Sequence, residues 1–193
     1  MPYTWDTRVE TKILPLGGGT HFHFGASFDI DDNNVYAAIG DYNYNEGGSK
    51  NGGIFFYKNT GDGWSLLTSQ LGDSNSDALG YSIAISSDGA HCITGAHSAD
   101  ISATTHNFNA GELKYFTRSG DTWTYQGEFY VTPRDGHDYL GWDIKMNQDG
   151  DKLLVFLSTK GGIMSISDMN FKEKSLLFAK LAKIAYYNKK QAT

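Results

Sequence analysis

The run Asp29-Ile30-Asp31-Asp32-Asn33-Asn34 is the stretch densest in side-chain oxygen and the best candidate for a cation. Calcium takes six to eight oxygen ligands, and Asp29, Asp31, Asp32 and Asn33 would supply several of them. The competing reading is turn chemistry, because Asp and Asn bond to nearby backbone amides and tolerate positive φ. His21-Phe22-His23 would put two imidazoles on one face of a strand, a spacing that suits zinc or copper, but no third ligand stands near it. Asp77 and Asp138 each stand two residues before a Leu-Gly pair. A catalytic pair is one reading, and a turn acid bonded to backbone amides is the one that repetition favours. Gly17-Gly18-Gly19 is not followed by Lys-Ser/Thr, so it reads as a link and not a phosphate loop. Cys92 is the single cysteine, which excludes an intramolecular disulfide and predicts a buried thiol.

Two long polar segments, 41–52 and 97–110, could present binding groups. Tyr42, Asn43, Tyr44 and Asn45 in the first, and His106 and Asn107 in the second, suit stacking on and hydrogen bonding to a sugar or a protein surface. The alternative is an ordinary solvated loop.

What must position these residues is a repeat. Gly25, Gly80 and Gly141 start three copies. The pairs Asn33-Asn34, Asp88-Gly89 and Asp149-Gly150 follow at the same offset, then Gly40 and Gly95, with Phe156 in that place in the third copy. Trp64 and Trp123 recur later in the first two copies. Asp-Gly and Asn-Asn between apolar runs are hairpin turns, and Tyr81-Ser82-Ile83-Ala84-Ile85 alternates as a strand does. Each copy reads as four antiparallel strands that must stack on a neighbour to bury both faces. Gly40 and Gly95 are expected where neighbouring backbones approach closely, and Trp64 and Trp123 between sheets.

In this order of elements the chain resembles FG-GAP-type β-propeller repeats over about residues 20–166. Phe24-Gly25 matches the opening motif, Leu79-Gly80 and Leu140-Gly141 are variants of it, and Gly40-Asp41 and Gly95-Ala96-His97 stand where a Gly-Ala-Pro-like element would be. The resemblance implies an all-β, propeller-like stack of about three four-stranded blades, an incomplete ring. The blades fall at about 20–77, 78–138 and 139–167, with residues 3–14 as an offset strand. Some blades of this type resemble calcium loops in the acidic turn, with acids at alternate positions. Three blades are fewer than the usual four to eight, so either several chains share one ring, or the chain is an open stack capped by its tail, or it is part of a longer protein.

Beyond 167 the period changes. Phe171, Leu177, Phe178, Leu181, Ala182, Ile184 and Ala185 recur at helical steps among six lysines, predicting a basic amphipathic helix within a tail of residues 168–193. It would dock on the sheets or on another chain; contact with a membrane surface is a lesser reading. Leu177-Phe178-Ala179-Lys180-Leu181-Ala182 also resembles the leading helix of class 3 lipase domains, but the chain holds no Gly-x-Ser-x-Gly elbow, so no activity is carried over.

The 193 residues include 23 Gly, 3 Pro and 12 Tyr, a composition suited to short strands and tight turns. Residues 1–167 carry 10 Lys and Arg against 20 Asp and Glu, a net −10, while residues 168–193 carry 6 Lys against Asp168 and Glu173, a net +4. An acidic body argues against nucleic acid as its partner. No signal peptide or apolar run of membrane-spanning length is visible, so a soluble protein is expected. The function expected is a non-enzymatic binding module that contacts a protein or glycan, self-associated or within a larger assembly such as a virion or surface complex. The alternatives are an accessory part of a lipase-like hydrolase and a calcium-stabilised lectin-like ring.

Overall fold

The computed structural model describes residues 13–15, 19–100, 109–130, 136–157 and 162–166. Two sheets have four antiparallel strands in sequence order. The first is β1 (Ser27–Ile30), β2 (Tyr36–Asp41), β3 (Gly53–Asn59) and β4 (Trp64–Leu71). The second is β5 (Leu79–Ile85), β6 (His91–Ala96), β7 (Glu112–Ser119) and β8 (Thr122–Phe129). The third sheet has β9 (Ile144–Met146), β10 (Leu153–Leu157) and β11 (Gly162–Ile166). The hairpins between first and second strands close on Asn34, Gly89 and Gly150, all at positive φ (56°, 63° and 70°). Residue types that tolerate this conformation explain why Asn and Gly recur there.

Alternation along each strand sends side chains to both faces, and the sheets stack through them. Ile54 and Phe56 of β3 face the second sheet, where they meet Leu79, Ile83, Cys92, Phe116 and Trp123. The Trp123 ring stacks on Phe56 at 4.4 Å. Ile93, Leu113 and Tyr115 leave the second sheet on its other face and pack with Leu140, Ile144, Leu153 and Val155 of the third. The remaining face of the first sheet carries Phe55 and Tyr57, with Ile13, Phe24 and Trp64 packed on it. The molecule is an all-β, propeller-like stack. Among the described residues there is no helix. The expected offset strand at 3–14, apart from residues 13 and 14, and the expected tail helix lie outside the described residues.

The sheets also touch through backbone. A Cβ added to Gly40 would lie 2.0 Å from the Gly80 carbonyl oxygen, and one on Gly95 would lie 2.1 Å from that of Gly141. The same two carbonyls accept hydrogen bonds from Ser27 Oγ (2.7 Å) and Ser82 Oγ (2.6 Å). The hairpin turns are linked as well: Asp32 N–H donates to the Ser87 carbonyl and Ser87 N–H to that of Gln148, each at 3.0 Å. These backbone and serine contacts are therefore repeated between the first and second interfaces.

Candidate functional site

Residues in or just before the first strand of each sheet line a shared groove of about 300 Å³. Ala26, Ser27 and Phe28 come from the first sheet, Tyr81, Ser82 and Ile83 from the second, and Trp142, Asp143 and Lys145 from the third. Phe28 is 72% exposed and Trp142 40%, a large apolar area to leave in water.

A ladder of rings contributed by all three repeats reaches the groove at Tyr81 and Trp142. His23 stacks on Tyr42 at 4.4 Å, and Tyr42 meets Tyr81 at 5.2 Å. Tyr81 meets both His97 (4.0 Å) and Trp142 (5.1 Å), and Tyr139 lies 5.8 Å from Trp142. The repeat explains the alignment. Tyr81 and Trp142 directly follow the repeated Gly80 and Gly141, and Tyr42 and His97 each stand two residues after Gly40 and Gly95. Burial pushes the pKa of His97 down to about 4, and it raises that of Tyr81, with the neighbouring Tyr42 adding to the shift. Both rings are uncharged at neutral pH. His97 Nδ1 is buried without a hydrogen-bond partner. The ladder offers neutral aromatic faces, with Asp143, Lys145 and the serine hydroxyls as polar groups at the groove. It can stack flat or extended ligands and hydrogen-bond their edges.

Of the residues the sequence singled out for binding, Tyr42 joins this ladder. Asn43 lies beside it, half-buried, with its N–H on Asp41 Oδ1. Tyr44 differs from the expectation of a displayed side chain. It is 3% exposed, packs on Phe55, and its hydroxyl accepts the Gly19 N–H. Asn45 pairs with Thr20 through backbone and accepts the Gly48 N–H on its side chain. These contacts fold the segment back onto the first sheet. His106 and Asn107 lie outside the described residues. The sequence did not single out Tyr81, Trp142, His97 or Tyr139; aligning the copies position by position would have brought out Tyr81 and Trp142, which directly follow Gly80 and Gly141, and His97, which matches Tyr42, while Tyr139 stands two residues before Gly141.

The acidic run behaves differently in each of its parts. Asp29 Oδ1 accepts the Ile30 N–H and Oδ2 the Ile85 N–H of the next sheet. Asp31 Oδ1 accepts the N–H groups of Val35 and Tyr36 at 2.7 and 2.8 Å. Asp32 and Asn33 are exposed. Ser86 and Asn147 hold the Asp31 position in the other copies, and each accepts the N–H five residues on, from His91 and Lys152. Among the described residues no three His, Cys, Asp or Glu side chains are grouped to hold a metal ion. His21 and His23 do not share a strand face: His21 turns inward onto Asp41 Oδ2 at 3.1 Å, while His23 lies outward on Tyr42. Asp77 accepts the Ser74 N–H at 2.6 Å, the contact of a turn acid. Cys92 is fully buried, and burial raises its pKa well above the ordinary thiol value.

No family model matches the chain, and no curated protein matches it. Solved structures of similar shape include the β-propeller domain of Swd1 from Myceliophteria thermophila, at 8% identity and TM-score 0.48, over 80% of this chain and 39% of that one. Hydrazine synthase from Kuenenia stuttgartiensis is similar at 12% identity and TM-score 0.46, over 81% of this chain and 36% of that one. TolB from Acinetobacter baumannii is similar at 12% identity and TM-score 0.42, over 75% of this chain and 30% of that one. The chain thus spans less than two fifths of each of these proteins. The fold itself follows from the sheet order and stacking described above.

Proposed function

We propose that the protein is a binding module that holds an extended glycan or protein segment along the groove that its three sheets share. The observation that carries this reading is the ring ladder, to which all three repeats contribute and two of whose rings, Tyr81 and Trp142, line a groove of about 300 Å³. Stacking is worth about 0.5–1.5 kcal/mol per aromatic pair beyond burial, so several rings in line supply useful affinity without a deep pocket. The acidic charge of residues 1–167 disfavours nucleic acid as the ligand. The resemblance of Phe24-Gly25 and its counterparts to FG-GAP blades supports the same reading.

The test is a glycan and peptide array followed by titration of each hit, monitored by tryptophan fluorescence. Trp142→Ala and Tyr81→Ala should each weaken binding about tenfold or more while leaving the unfolding midpoint nearly unchanged for the exposed Trp142. Full affinity in both variants would place the binding surface elsewhere and sink this assignment.

A further inference from the structure

We propose that the outer face of the third sheet is closed by the chain's own residues 168–193, and not by a further sheet or a second copy. Each sheet receives the next through one paired position on its first two strands. Ser27 pairs with Gly40 in the first sheet and Ser82 with Gly95 in the second. The glycine leaves room for the incoming carbonyl and the serine hydroxyl donates to it. In the third sheet the corresponding pair is Asp143 and Phe156, joined by the Phe156 N–H on the Asp143 carbonyl at 2.9 Å. A benzyl group now stands where a single Cβ would already meet the next carbonyl at about 2 Å. An aspartate side chain replaces the donor hydroxyl of serine.

The substitution bars any sheet that would stack as the first two interfaces do, whether a fourth repeat or a second copy. A fourth sheet stacked in the same way would drive its carbonyl into Phe156. A second copy arriving head to tail would present its first sheet, in which Gly25 stands where Gly80 and Gly141 stand, and would meet the same ring.

The face is nevertheless apolar. Leu154 is 43% exposed, and with Phe156 it lines a shallow depression of about 80 Å³. An irregular ridge of side chains can seat around Phe156, whereas a flat sheet needs glycine there. The segment after β11 has the right character: Leu177, Phe178, Leu181 and Ile184 recur at three- and four-residue steps, with Phe171 seven residues before Phe178. Its charge of +4 opposes the −10 of residues 1–167. β11 pairs with β10, so the segment leaves the fold at this same sheet.

Hydrogen exchange on the full chain, with light scattering over the same concentrations, tests the proposal. A monomer is expected, with slow exchange in residues 171–185 and 153–157. Phe178→Asp with Leu181→Asp should remove the protection of 171–185 and make 153–157 exchange about tenfold faster or more, while 54–57 and 92–95 keep their protection. Free exchange of 171–185 in the unsubstituted chain overturns the proposal. So does a dimer whose dilution, and not the double substitution, exposes 153–157.

Discussion

A methyl group on Gly95 would lie 2.1 Å from the carbonyl oxygen of Gly141 and 2.6 Å from Ser82 Oγ, and a backbone carbonyl locked between two sheets cannot move aside. Gly95→Ala should therefore lower stability by about 3 kcal/mol or more, read by urea unfolding. Gly61 is the control: it has positive φ and open space around its Cβ position. Gly61→Ala meets only backbone strain and should cost about 1 kcal/mol. His97 sets a pH dependence. Its pKa falls from 6.5 to about 4 on folding, so the unfolded chain binds the proton more readily. The stability from keeping this ring neutral is complete above pH 6.5 and is lost as pH falls toward 4, by up to about 3 kcal/mol. The unfolding free energy of His97→Asn should decline less over that interval than that of the unsubstituted protein. Equal declines would mean that other groups carry the acid sensitivity. The turn chemistry of Asp31 and Asp77 was legible in the sequence because repetition pointed to it. The inward turn of Tyr44 was not, because Tyr42 and Tyr44 look alike in a polar loop and only the Gly19 and Phe55 contacts separate them.

At the scale of the element, each interface is a sheet face plus a row of directional contacts at one edge. Ser82→Ala removes the hydroxyl that satisfies the buried Gly141 carbonyl and should cost about 1–2 kcal/mol. Ser27→Ala deletes the same contact one interface earlier, where the hydroxyl is less buried, and should cost less. Equal costs would show that solvent reaches both carbonyls alike. Strand spans and turns could be read from the sequence because two-residue hairpins and period-two patterns are local. The groove could not. It is made by three strands about sixty residues apart in sequence, and its rings meet only once the sheets have stacked.

For the whole molecule, sheets that touch only their neighbours make stability a sum of interfaces. The second sheet has both faces covered, with Ile93 buried on one and Cys92 on the other. The third has a first strand of only three residues. Native-state hydrogen exchange should show β9 and β10 opening before β6, and a single exchange free energy across all three would count against independent interfaces. The stacking pairs also constrain how such a chain could lengthen by gene duplication. A copied second repeat, with Ser82 and Gly95, could be inserted ahead of the third and would find a compatible neighbour on either side. A copied third repeat appended after the original would bring its glycine carbonyl against Phe156. New repeats can enter ahead of the third, and none that stacks in the same way can follow it directly.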